Sequence, residues 1–172
     1  MQNLASLHTL LLHELHDLYD AEYQIADVLP KMRDAAHAED LKKAFDDHLN
    51  QTEEQTRRLE EAFAALGEPP MREHCPGISG ILQEGKEMME EQDATPDAFD
   101  TALIASARRV EHYEMAGYSS AWRLAQTLQY HQVADLLNET RKEENITDKK
   151  LAKLATKTAH LAKGDIASRV SS

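Results

Sequence analysis

Glutamates on the apolar face of a helix are the residues of this sequence best placed to do chemistry. In one helical segment the inward positions are 107, 111, 114, 118, 121, 125 and 128, and two of them are Glu111 and Glu114, followed by Tyr118. Glu22 sits between Leu18 and Ile25 on another such stripe. Glu144 lies one heptad from both Leu137 and Leu151, with Asp148 a turn further on. The remaining segment reads Leu41, Phe45, His48, Thr52, Gln55 and Leu59 along its inner face. A single such Glu is ordinarily solvated at a bundle edge. Here every long segment turns acids or amides inward, and ionised carboxylates gathered in an apolar core cost several kcal/mol each to desolvate. Divalent cations remove the difficulty, since two of them bring about +4 of charge to a group of glutamates. A set rich in hard oxygen and poor in nitrogen suits two iron or manganese ions, and zinc can substitute in vitro.

The heights of these residues agree as well. If the first hairpin turn centres near 38–39, Glu22 lies level with about Gln55. If the second centres near 129–130, Glu114 lies level with about Asn145, and Glu111 with Asp148. His48 is two turns from Gln55, ~10 Å at about 1.5 Å per residue, and borders the same layer. The candidate metal ligands are therefore Glu22, His48, Gln55, Glu111, Glu114, Glu144 and Asp148. Tyr118 reads as a core tyrosine with a satisfied hydroxyl, His112 and Tyr113 fall off the stripe, and Cys75 has no neighbouring partner in its loop and reads as structural.

The elements that must carry this layer are helices. Apolar periodicity predicts them over about 4–37, 40–66, 96–128 and 132–160, with a shorter one over 78–92, and a frayed tail at 163–172. Pro30 should kink the first or remove one of its hydrogen bonds. Asp40 is expected to cap the second, and Gly67-Glu68-Pro69-Pro70 to end it. Thr95-Pro96-Asp97 is a strong helix start. No Gly or Pro forces a turn near Gln129-Tyr130-His131, but the apolar stripe slips phase there, which predicts a tight turn. Two helix pairs joined by about 30 residues predict an all-α four-helix bundle with one long crossover, the topology of ferritin-like folds, in a single domain over 1–162.

Composition narrows the function classes. At 172 residues with 41% hydrophobic and 29% charged, the chain can bury a real core, and disorder is excluded. A net charge of −12 argues against a nucleic-acid surface. One cysteine forbids an internal disulfide, no apolar run approaches a membrane span, and the first 20 residues do not read as a signal peptide. A cytoplasmic protein is expected.

The motifs resemble the YciF-type branch of the ferritin-like superfamily, the bacterial stress-response YciE/YciF proteins, over about residues 7–158. The matching strings are Tyr19-x-Ala21-Glu22-x-Gln24, His48-Leu49-x-x-Thr52-x-x-Gln55-x-x-Arg58, Cys75 with Gly80, Glu111-His112-Tyr113-Glu114-x-Ala116-x-Tyr118, and Leu136-Leu137-x-Glu139-Thr140-x-x-Glu143-Glu144-x-x-x-Asp148. The resemblance implies a rubrerythrin-like dinuclear centre, with Glu111 and Glu114 matching the paired third-helix glutamates and Glu22 the first-helix ligand, and commonly a homodimer. This sequence lacks the Glu-x-x-His motifs of the wider superfamily on its second and fourth helices. Gln51 stands where relatives often have Glu, and Gln129 where they often have a turn Gly.

The leading expectation is a di-metal carboxylate protein reacting with O2 or peroxide, peroxidase-, catalase- or ferroxidase-like. Glu111 or Glu144 would bridge, Glu22 and Glu114 cap, and Gln55 or His48 fill the nitrogen-poor side. Below pH about 4 these carboxylates protonate and metal affinity should fall. The alternative is a non-catalytic helical dimer whose inward acids are a remnant of such a site, an option that the missing Glu-x-x-His motifs favour. Redox partner and substrate are not written in the sequence.

Overall fold

The computed structural model describes residues 6–170 except Gln92, with side chains through Thr158. Five helices make up the chain: α1 (Leu7–Ala35), α2 (Glu39–Leu66), α3 (Pro76–Met89), α4 (Pro96–Thr127) and α5 (His131–Val170). Packing runs α1 to α2, α2 to α5, α5 to α4 and α4 back to α1, which closes a four-helix ring. The crossover 67–95 carries α3 against α4 and α1. This is the expected bundle. Among the described residues, no helix is long and apolar enough to cross a membrane.

The core comes in two lobes. One gathers Ile25, Leu29, Met32, Leu41, Phe45, Ile78, Leu103 and Ile104 at the α1–α2 turn. The other gathers Leu11, Leu15, Leu18, Leu59, Phe63, Ala121, Ala125 and Leu137 at the α4–α5 turn. Between them lie the inward polar residues, so the helices hold their polar layer between two apolar grips.

Several local expectations are corrected. Asp40 does not cap α2: it lies in the first turn, paired with Lys157, and the N-cap is Ala38 with no side-chain bond. Asp100 of α4 does that work, accepting from the backbone N–H groups of His37 and Ala38 at 2.8 Å each. Of the two effects expected of Pro30 the second applies, since α1 continues through it to Ala35 and the proline has no N–H to donate to the Ala26 carbonyl. The expected helical turn at Leu4 lies outside the described residues. α3 starts at Pro76 rather than 78, because the Sγ of Cys75 accepts from the N–H of Ile78 and serves as the cap. Cys75 is thus not without partners. Its thiol meets the Tyr113 hydroxyl at 3.0 Å and its N–H donates to Asp20 at 2.9 Å. Gly77 permits that approach, since a Cβ there would stand 2.7 Å from the Tyr113 ring. α5 continues to Val170, beyond the end expected near 160: the tail is rich in helix formers, contains no Pro, and its lone Gly164 costs only about 1 kcal/mol.

The remaining signals are as expected. Gly67 takes the left-handed cap at φ 74°, and the Thr95 hydroxyl accepts from the N–H of Ala98. The tight turn after α4 forms, with Gln129 at φ 60°. A left-handed non-glycine residue costs roughly 1–2 kcal/mol. Gln129→Gly is therefore expected to raise thermal stability by about 1 kcal/mol, offset in part by backbone entropy, in a melt monitored by circular dichroism.

Candidate metal centre

Helix register places the site. Glu111 and Glu114 stand one turn apart on α4, Glu22 faces them from α1, and Glu144 enters from α5. All four carboxyls are 0% exposed. His48 of α2, 3% exposed, completes the layer, with its Nδ1 3.4 Å from a Glu111 oxygen. One ligand atom each from His48, Glu111, Glu114 and Glu144 lies within 4.8 Å of the others, so these four side chains can share one cation. Glu22 lies beside this group, next to Glu114, with one of its oxygens accepting from the hydroxyl of Tyr118.

Hydrogen bonding leaves the layer open toward a cation. Both oxygens of Glu111 and of Glu114, one of Glu22, one of Glu144, and both nitrogens of His48 are buried without a hydrogen-bond partner. Buried polar atoms are ordinarily paired, because each orphan costs about 1–3 kcal/mol. Converging acceptor atoms can be satisfied by added protons or by a metal ion. The chemistry of the donor set, carboxylate oxygens with a single imidazole, fits a divalent cation.

Electrostatics agree with the geometry. Burial first, and then the neighbouring carboxylates, push Glu22, Glu111 and Glu114 far above the usual carboxylate range. Glu144 rises to about 7, with burial again the largest cause and the Gln55 amide pulling the other way. Burial pulls His48 down to about 4, so its imidazole is neutral and able to ligate at physiological pH. Near neutral pH the buried layer therefore favours the neutral acids over their ionised forms.

The two other expected ligands part company. Gln55 is fully buried in the layer: its amide nitrogen donates to Glu144 and, at 3.2 Å, to Glu143, while its Oε1 is buried without a partner beside the carboxylates. Asp148 leaves the layer. Arg108 donates to it at 2.7 Å and His112 stands 3.3 Å away, so an ion pair at the bundle edge takes the carboxylate that helical phase had pointed inward. Arg58 was missed as a functional residue. It is buried, donates to Thr140 at 2.7 Å and to Glu143 at 2.9 Å, and backs the helix turn that carries Glu144. An arginine one turn beyond Gln55 on an otherwise inward face was the available signal. The Tyr118 hydroxyl is satisfied, by Glu22.

A model of a domain of unknown function, DUF892, matches residues 6–162. Protein YciF of Escherichia coli (strain K12) is 36% identical over 154 residues, which span 89% of this chain and 92% of that protein. The crystal structure of the E. coli stress protein YciF superposes with a TM-score of 0.88 at 35% identity, covering 91% of this chain and 99% of that one. YcfI from Rhodopseudomonas palustris superposes at 0.84 with 36% identity, covering 88% and 96%.

Acids with raised pKa values bind more protons in the native than in the unfolded state. Their contribution to metal-free stability is present below the unfolded value near 4.5 and is lost as pH rises through about 7. His48 acts oppositely, costing stability as pH falls from 6.5 toward 4. Chelator-treated protein should therefore melt at progressively lower temperature as pH is raised from about 5 to 8. Replacing Glu144 with Gln should flatten that slope in a series of calorimetric scans.

Proposed function

The chain belongs to the DUF892 family and is a relative of the stress protein YciF, and we propose that its buried layer is a carboxylate metal centre holding two iron or manganese ions. The observation that carries this is the orphaned set of buried oxygens and imidazole nitrogens converging from all four bundle helices. His48, Glu111, Glu114 and Glu144 would hold one ion. Glu22, beside Glu114 and Glu144, would border the second. Bound iron or manganese would supply electron-transfer chemistry toward dioxygen or peroxide. The protein's own residues do the positioning: Tyr118 fixes Glu22, Gln55 fixes Glu144, and Arg58 anchors Glu143 beside it. The two apolar lobes keep bulk water out, which strengthens every interaction inside. The reading includes a homodimeric, cytoplasmic stress-response protein.

One observation favours a second reading, a helical interaction protein with a degenerate site. The Gln55 amide already occupies one oxygen of Glu144, and protonated acids can fill the layer unaided. Metal content separates the two. Protein purified without nickel affinity and loaded with iron or manganese should carry one to two ions per chain, and Glu111→Ala with Glu144→Ala should abolish this in elemental analysis. Chelation should lower the stability of the loaded protein by about 2.7 kcal/mol where metal had been at a hundredfold excess over Kd. Peroxide consumption by the loaded protein, absent in the double variant, would establish the reaction. Unchanged metal content in that variant would overturn the site.

The second helix contributes no inward carboxylate, so the site's charge is lopsided toward α4 and α5. Gln55→Glu would replace a donor with an acid facing Glu144 and Glu143. It is expected to lower metal-free stability by about 1–3 kcal/mol and to recover it in saturating manganese, with higher occupancy of the second position. Thermal melts with and without manganese check this.

A further inference from the structure

The crevice between α2 and α5 meets solvent along its length and the polar layer at its inner end. It encloses about 420 Å³, a volume typical of small-molecule sites. Ala44, Leu151 and Leu154 form its apolar wall, and His48, Gln51 and Thr147 its inner end. His48 also belongs to the cluster of buried carboxylates, so one side chain borders both the crevice and that cluster. On another side of His48 there is only a gap of about 10 Å³ among aliphatic side chains, which closes that direction.

The charges along the rim are not balanced. Lys43 is held by Asp47 at 2.8 Å, and Lys157 by Asp40. Lys150 and Lys153 line the same crevice with no ion-pair partner among the described residues. Two uncommitted cations above an apolar wall are locally complementary to a molecule with an anionic head and a hydrocarbon body. At the inner end, the Gln51 side chain accepts from Thr147 at 3.3 Å while its own amide nitrogen is a buried donor without a partner.

We propose that this groove binds an aliphatic carboxylate, with its headgroup on Lys150 and Lys153 and its chain along Ala44, Leu151 and Leu154 toward His48. Binding itself needs no metal. Only the approach of the chain end to a reacting centre rests on the metal reading above.

Decanoate is the probe, titrated by calorimetry into the full chain as isolated and again after metal removal. Saturable binding is expected in both, weakened by salt. Lys150→Glu with Lys153→Glu should cut affinity about tenfold or more without changing the melting temperature. Decyltrimethylammonium, with the same chain and the opposite head, should not bind. Leu154→Asp should lose decanoate as well. Absence of saturable binding, indifference to the charge reversals, or equal binding of the cationic probe would overturn the proposal. So would a dimer that Leu154→Asp dissociates while decanoate fails to bind, because a second copy would then cover the groove. Normal metal content without decanoate binding defeats the groove alone, and decanoate binding by a chain that takes up no metal defeats the metal reading alone.

Discussion

Carboxylates removed wholly from water govern the rest of this molecule. Each ionised group costs several kcal/mol to desolvate, and a domain's entire stability is about 5–15 kcal/mol. A layer of four acids therefore survives only if protons or cations neutralise it and if the surrounding chain is rigid enough not to let water in. Helices meet both demands. Their backbone groups are satisfied internally, so the only polar atoms brought to the centre are the side chains. The two apolar lobes on either side then clamp the layer, and neither can loosen without exposing the other's flank.

Around the layer stands a shell of donors, each fixing one acid. Tyr118 meets Glu22, Gln55 meets Glu144, and Arg58 with Thr140 braces the α5 turn. Glu22 and Glu144 each keep one unpaired oxygen even so, and Glu111, Glu114 and both nitrogens of His48 have no hydrogen-bond partner. The centre is thus asymmetric: hydrogen bonds orient Glu22 and Glu144, and none orients Glu111, Glu114 or His48. Arg108 adds to that asymmetry by drawing Asp148 outward, which keeps a fifth acid from crowding the layer.

The bundle and the depth of its polar layer were legible because both follow from period and length. Glu22, His48, Glu111, Glu114 and Glu144 could be placed by counting turns from two hairpins. What periodicity could not resolve was which of two neighbouring acids points inward. Glu144 and Asp148 sit on the same side of α5, and their fates diverge because Arg108 and His112 on α4 offer Asp148 a partner at the edge. Contacts distant in sequence were equally invisible. Cys75 looked idle because its partners, Asp20 and Tyr113, lie 55 and 38 residues away. Asp40 looked like a cap because it stood in the right place locally, while the group that does the capping comes from another helix.

That cap bears on the order in which the chain comes together. Asp100 bonds two amides in the α1–α2 connection from more than 60 residues downstream, across the whole crossover. Until α4 arrives, the first hairpin keeps exposed donors at its bend, and α2 begins without a side-chain cap of its own. Loop closure over that span is paid for only when both hairpins dock, so the halves of the bundle do not mature separately. The bend of the first hairpin is completed by a carboxylate of the second, so the two halves of the bundle stabilise one another.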